Sequence, residues 1–347
     1  MRLAIAASLL TFVAGLHGSS AATYRFKEVT VPGATSVTVT GINDHGMITG
    51  SYVSPASPRG AGFVGEPGKL TILPPVYTNI MNPLPNELIA APSGLNDGGA
   101  VIGTFFLEPD ISFFVWQDGK YVTTFLGGEG GVVPAFLPFI GTSDHVSFNI
   151  SEDFGIVVPI FGKLSATRGL QNTGGFPQIA SINANLEVAG QVSIGCLVAD
   201  QLVGTAVFTY AGQKMSCLLP PTATNSYGGW LNDHGQVAGS YSDAKGGLHG
   251  FLYTAGAYKS FDMPTKPLAL TVQGIDVAGR VVGTYEDAQG GYGFVYAGGT
   301  VTKLGAFLRK ASIQVSISRA TDRIAISATL PGGARSFLAT CVTGTGC

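Results

Sequence analysis

Charge is scarce in this chain. Only 12% of its 347 residues are Asp, Glu, Lys or Arg, against about 25% in an average protein. The 19 basic side chains are scattered singly and the formal net charge is −2. The basic patch or stripe that nucleic-acid binding leaves is therefore missing, and no nucleic-acid partner is expected. Beyond the first residues no apolar run approaches the roughly 20 residues of a membrane span. Long amphipathic helical stretches are missing as well, which argues against a helical fold. No Cys-x-x-Cys spacing occurs, so zinc and thioredoxin-like readings are weak. The Gly-x-Ser-x-Gly elbow of α/β-hydrolases is absent. So are the phosphate loop, the dinucleotide fingerprint and His-Glu-x-x-His. No cofactor and no metal are expected.

What is present points to strands. Fifty Gly and 19 Pro punctuate a chain that is 45% apolar and rich in Val, Thr, Phe and Tyr. Disorder needs the opposite balance of charge and apolarity. The first residues read as a signal peptide over 1–22. Arg2 supplies the positive start, residues 3–16 the apolar segment, and Ser20-Ala21-Ala22 a small-residue cleavage site. The expected location is secreted or periplasmic, with one domain over 23–347. Cys196, Cys217, Cys341 and Cys347 form an even set in an oxidising compartment, which favours disulfides. Of the three possible pairings, Cys196–Cys217 and Cys341–Cys347 is preferred because each is local.

A ten-residue phrase recurs. It reads Gly41-Ile42-Asn43-Asp44-His45-Gly46-Met47-Ile48-Thr49-Gly50 and returns over 94–103 and 230–239, with fainter copies over 181–190 and 274–283. Spacing of roughly 40 to 55 residues signals a repeat architecture. One unit, from Tyr227 to Met263, shows the scheme. An apolar pair, Trp230-Leu231, enters a turn at Asn232-Asp233-His234-Gly235, and a Val-containing strand leaves it toward Tyr241. A second turn-rich stretch precedes a strand at 249–253, and another turn precedes a fourth strand at 258–262. Asn, Asp and Gly suit the turns, and β-branched and aromatic residues suit the strands between them.

Four short antiparallel strands per unit, repeated, describe a β-propeller. The all-β fold expected is one propeller of about seven four-stranded blades. Six is the alternative, if the degenerate copy over 151–158 is left out. Residues 26–32 look like a fourth strand without its blade, and 313–339 like a blade without its fourth strand. Joining the two closes the ring and removes an exposed sheet edge.

The phrase, together with the Gly-Phe strand opener of His249-Gly250-Phe251-Leu252-Tyr253 and Tyr292-Gly293-Phe294-Val295-Tyr296, resembles the HAF-type extracellular repeats of secreted bacterial proteins. The resemblance covers most of the chain after residue 22, with departures around Ser151 and Ile317. It implies secretion and a repeat fold, and carries no catalytic motif to transfer.

Asn43-Asp44-His45 and Asn232-Asp233-His234 invite a metal reading, since His and Asp ligate divalent ions. The turn explanation is stronger: Gly98 and Ala278 replace the His in other copies, while the Asn-Asp-x-Gly chemistry serves the backbone. Asp243 reads as a turn cap. The interruptions of the repeat, 76–91 and 127–145, are the expected functional loops, because long loops without secondary structure are uncommon unless functional or disordered. Candidate binding residues are Tyr52, Tyr77, Asn79, Asn82, Glu87, Asn225, Tyr227, His249 and Tyr292; the tyrosines and asparagines among them suit neutral sugars or peptides. The expected function is a secreted, monomeric binding protein for a glycan, polymer or surface protein. The alternative is an extracellular hydrolase or lyase using Glu129, Asp144 and His145, which can supply an acid, a base or a ligand.

Overall fold

A computed structural model of the chain describes residues 22–75, 90–107, 110–125, 139–140, 146–150, 153–157, 168–169, 176–198, 201–211, 214–305 and 311–343. Every regular element among them is a β-strand. After β1 (Thr23–Val29) the strands follow in fours, and each four is one antiparallel sheet. The first is β2 (Ser36–Ile42), β3 (Ile48–Ser54), β4 (Ser57–Glu66) and β5 (Lys69–Ile72). The second is β6 (Ala91–Leu95), β7 (Val101–Leu107), β8 (Asp110–Gln117) and β9 (Lys120–Phe125). A reduced third has β10 (Phe139–Ile140), β11 (Val146–Ile150), β12 (Asp153–Val157) and β13 (Arg168–Gly169). The fourth is β14 (Phe176–Ile182), β15 (Val188–Val198), β16 (Gln201–Ala211) and β17 (Lys214–Leu218). The fifth is β18 (Ala223–Leu231), β19 (Val237–Asp243), β20 (Leu248–Thr254) and β21 (Ala257–Phe261). The sixth is β22 (Ala269–Ile275), β23 (Val281–Asp287), β24 (Gly290–Ala297) and β25 (Thr300–Leu304). Last come β26 (Ser312–Ile317), β27 (Arg323–Leu330) and β28 (Gly333–Thr343), whose fourth strand is β1.

The chain is a β-propeller: six regular sheets and the reduced one, arranged as blades of a ring. The first strand of each regular sheet packs against that of its neighbour along the chain, and β2 packs against β26, β27 and β28. The ring closes as expected. β1 pairs antiparallel with β28, Phe26 opposite Ala339, and Arg335 holds Glu28 with two bonds of 2.7 Å.

The recurring phrase builds the inner hairpin of five blades. Ile42 pairs with Ile48 across the turn, as Leu95 does with Val101 and Leu231 with Val237. The Asn43 side-chain oxygen accepts the amides of His45 and Met47, holding the turn shut. Gly46 has φ +80°, a conformation that costs an L side chain about 1 kcal/mol or more. The closing glycine has a different cause. A Cβ at Gly50 would lie 2.0 Å from the Thr38 carbonyl oxygen, and one at Gly283 would lie 2.1 Å from that of Thr271. Across the next strand that glycine faces a phenylalanine: Gly50 pairs with Phe63, Gly103 with Phe114, Gly190 with Phe208, Gly239 with Phe251 and Gly283 with Phe294. All five rings are fully buried, each stabilising its blade by roughly 2–3 kcal/mol.

Two expectations need correction. Residues 151–158 are not a copy of the phrase: Ile150 and Asp153 join β11 to β12, the second and third strands. The equivalent of Ile42–Ile48 in that sheet is Ile140 paired with Val146. Residues 127–145 are accordingly not one insertion, because β10 divides them. Cys196 of β15 and Cys217 of β17 form the expected disulfide, with their Cα atoms 5.9 Å apart. Cys341 lies on β28, and Cys347 falls outside the described residues.

Candidate functional site

Seven first strands around an axis leave seven inner edges, and an edge strand carries backbone groups without ladder partners. The side chains nearest the axis answer this. Five first strands bulge at one position, between Val39 and Gly41, Pro92 and Gly94, Ile179 and Ser181, Gly228 and Trp230, and Val272 and Gly274. Four of the extra residues, Thr40, Ser93, Ala180 and Gln273, line the axial space. Ser316 donates to the Thr40 carbonyl at 3.2 Å, and Thr40 to the Pro92 carbonyl at 2.9 Å. Ser181 accepts the Leu231 amide, Trp230 Nε1 donates to the Val272 carbonyl, and Gln273 Oε1 accepts the Val315 amide. Neighbouring blades are thus stitched edge to edge.

A second tier of stitches lies at the turn end. Asn43 donates to the Asn96 carbonyl, Asn183 to that of Asn232, and Asn232 to that of Asp276. The carboxylates work in the same direction: Asp97 accepts the Asp44 amide, Asp233 the Ala184 amide, and Asp44 the Ala320 amide. The turn explanation for Asn-Asp therefore covers half of the role, and the rest is inter-blade. His45 is exposed, and His234 Nδ1 lies 3.0 Å from the Val277 carbonyl. Among the described residues no group of three or more His, Cys, Asp or Glu is placed to hold a metal. In the sixth blade Asp276 replaces the Asn. Burial pushes its carboxyl up, against the pull of the Arg280 amide and guanidinium.

These tiers enclose an axial cavity of about 320 Å3. Its wall includes Thr40, Ser93, Ser181, Gln273, Gln314 and Ser316, all uncharged, together with Trp230. Along β22 and β26 the alternate residues on this side go from exposed (Ala269, Thr271; Ser312, Gln314) to half-buried (Gln273; Ser316). On these two blades the axial space opens, funnel-like, toward the loop end. Arg319 stands at its narrow end. It occupies the position that Asp44 and Asp233 hold in other blades, two residues past the end of the inner strand. Its Nη1 lies 3.1 Å from Asp233 Oδ1, and Nη2 donates to the Ile182 carbonyl. Burial lowers its pKa, and Asp233, Asp97 and Asp44 partly restore it.

The residues proposed from sequence fall elsewhere. Tyr292 is 2% exposed. It belongs to the core of the sixth blade because β24 extends back to Gly290; Tyr285 lies 5.3 Å away and Lys303 Nζ sits 4.0 Å above its ring. Tyr52 is half-buried on β3, against Val37, Val39 and Phe63. Asn225 and Tyr227 lie on the inner strand β18, not in a loop, and Asn225 Oδ1 accepts the Thr205 amide. His249 stacks on Tyr241 at 4.9 Å between Asp262, 2.5 Å from Nδ1, and Asp243, 3.4 Å from Nε2. Asp243 also caps its loop, as expected, accepting the Lys245 and Gly247 amides. Tyr77, Asn79, Asn82, Glu87, Glu129, Asp144 and His145 lie outside the described residues. In chain order Asp144 and His145 stand between β10 and β11. Sequence reasoning missed Arg319 and the bulge residues. The legible signal was a polar residue directly before the opening Gly, as in Thr40-Gly41, Ser93-Gly94 and Gln273-Gly274.

No family model and no curated protein matches the chain. Solved structures do. The chain is similar to a streptogramin B lyase (13% identity, TM-score 0.56, covering 92% of this chain and 98% of that one). It is also similar to a catalytically inactive virginiamycin B lyase from Staphylococcus aureus with quinupristin (12%, 0.54, covering 91% and 99%). A third likeness is to the β-propeller domain of the Trilobed protease from Pyrococcus furiosus (7%, 0.59, covering 90% and 96%). That domain has an open velcro topology, whereas here β1 sews the ring to β28. At these identities the likeness establishes the fold, and the fold is a β-propeller.

Proposed function

We propose that this chain is an exported β-propeller that binds an extracellular polymer, a glycan or a surface protein, at the loop end of its axial funnel. The observation that carries the reading is the funnel itself: a wall of hydroxyl and amide side chains that widens toward the loops and ends at Arg319. Pockets of this kind, with a few placed polar groups, are the default binding sites of a fold. At the loop end His249 is engaged with Asp243 and Asp262, and Lys303 with Asp287. Export is supported by the leader-like residues 1–22 and by the Cys196–Cys217 bond, which belongs to an oxidising compartment. No helix among the described residues is long and apolar enough to cross a membrane.

Binding to insoluble polysaccharides and to cell-envelope fractions tests the reading. Saturable binding is expected, and Thr271→Arg with Gln314→Arg, which put bulk and charge at the funnel mouth, should abolish it without changing the melting temperature. Absence of binding across such a panel overturns the reading. Turnover of a polymer that falls with His145→Ala or Glu129→Gln would instead establish the hydrolase or lyase alternative.

A further inference from the structure

We propose that the narrow end of the funnel takes a zwitterionic group, the ammonium and carboxylate of one α-amino-acid unit. This rests on the binding reading above and names the chemistry of what enters. Among the described residues, two ionisable side chains line the cavity, Asp97 and Arg319. They belong to different blades, Asp97 to the turn between β6 and β7 and Arg319 to the turn between β26 and β27.

The hydrogen bonds of both are accounted for. Asp97 Oδ1 accepts the Asp44 amide at 2.9 Å, and its second oxygen has no partner among the described residues. Arg319 gives Nη1 to Asp233 and one N–H of Nη2 to the Ile182 carbonyl. A guanidinium has five N–H donors in a fixed fork, so the Nε–H and the second N–H of Nη2 are left over. Arg319 is ion-paired with Asp233 and not with Asp97, although the Asp97 charge acts on it. One cavity thus holds an unused carboxylate oxygen and unused guanidinium donors that do not meet each other.

The rest of the wall sharpens the choice of ligand. Leu95, Ile182, Leu231 and Ile275 line the same cavity, and a charge beside apolar surface is costly without a counter-charge. A bare anion would meet Asp97 and the Asp44 and Asp233 charges gathered around Arg319. A bare amine would meet the guanidinium. A neutral ligand leaves both charges uncompensated. An α-amino acid brings three N–H donors to Asp97 and a carboxylate that a guanidinium fork binds well. It is small enough for about 320 Å3, and its side chain meets the aliphatic wall. On a polymer, such a unit keeps both its amino and carboxyl groups outside peptide bonds, as an amino acid attached through its side chain does.

The test is calorimetric titration of the full chain with L-alanine and L-valine, beside alanine methyl ester and N-acetylalanine, which lack the carboxylate and the ammonium in turn. At least one amino acid should bind saturably and release the chain from the cell-envelope fractions it binds. Both blocked derivatives should bind at least tenfold more weakly. Asp97→Asn keeps an acceptor for the Asp44 amide and removes the charge. It should weaken the amino acid about tenfold to a hundredfold, the effect of one hydrogen bond to a charged group, and leave N-acetylalanine unchanged. A merely structural role for Asp97 would not give that split, and thermal melting reports folding separately. Either blocked derivative binding as tightly as alanine overturns the inference. So does binding to envelope fractions that neither amino acid displaces and that Asp97→Asn leaves unchanged, in which case the binding reading survives with another ligand. Amino-acid binding without binding to any fraction keeps the inference, with a free amino acid as the ligand, and overturns the polymer. If nothing binds, both fail.

Discussion

Arg319 reaches across the ring axis to Asp233, with 3.1 Å between Nη1 and Oδ1, although 86 residues separate the two in the chain. The guanidinium passes over the sixth blade to join the seventh to the fifth, and its second terminal nitrogen reaches Ile182 of the fourth. Asp233, Asp97 and Asp44 all act on its charge at that end of the axis. A departure from the repeat thus supplies the charge that the repeated carboxylates need.

Replacing Arg319 with Met should therefore destabilise the ring. Both side chains of the pair are about a quarter exposed, so solvent screens part of the interaction. The expected loss is about 2 kcal/mol, below the 3–5 kcal/mol of a fully buried pair that loses a partner. Urea unfolding of Arg319→Met, Asp233→Asn and the double variant measures the coupling. Purely additive losses would show that the cross-axis pair contributes nothing.

Asn232 holds its own turn through Oδ1 and the next blade through Nδ2. Asn232→Ala should cost about 2–3 kcal/mol, because buried turn amides and the Asp276 carbonyl lose their partner. Asn232→Asp keeps the acceptor and loses the donor, so it should fall between the two. A melting curve in which Asn232→Asp equals the parent would rule out the inter-blade role.

Leu186 occupies the turn position that glycine holds in other copies, at φ +62°. The strain of a left-handed residue, about 1–2 kcal/mol, exceeds the entropic penalty of glycine, about 0.5–1 kcal/mol. Leu186→Gly should stabilise the chain by about 0.5–1 kcal/mol, read as a rise in the urea midpoint at unchanged slope.

His249 provides a pH dependence. Burial alone would lower its pKa, but hydrogen bonds and charge from Asp262 and Asp243 outweigh this, and it titrates above the ordinary histidine range. A group whose folded pKa is raised contributes stability that is complete below the unfolded pKa and is lost as pH rises through the folded one. Stability should accordingly fall on going from mildly acidic to alkaline pH. Asp262→Asn should flatten that slope and move the His249 ring resonances toward an ordinary titration in NMR. An unshifted midpoint in that variant would remove Asp262 as the cause.

The parts that were legible in the chain are those in which a residue serves its own hairpin. Asn43, Gly46 and Gly50 are required by one turn and one bulge, so the demand repeats wherever the hairpin does and shows as a motif. Phe63 and its four counterparts repeat for the same reason, each covering a glycine across one strand pair. What Thr40, Ser93, Gln273 and Asn232 do between blades was not legible, since their partners are backbone carbonyls and amides that carry no residue identity. Tyr292 was misplaced because nothing local says how far a strand runs into its loop.

The amino-acid order by itself determined the propeller and its closure: short-range turn chemistry dictates hairpins, and an orphan first strand matches a sheet short of one. Only the tertiary structure decided where the axis lies, which hydroxyl side chains line it, and that Arg319 meets Asp233. Those relations depend on packing every blade into one ring, where residues far apart in the chain come within hydrogen-bond distance and the low local dielectric makes each pairing count.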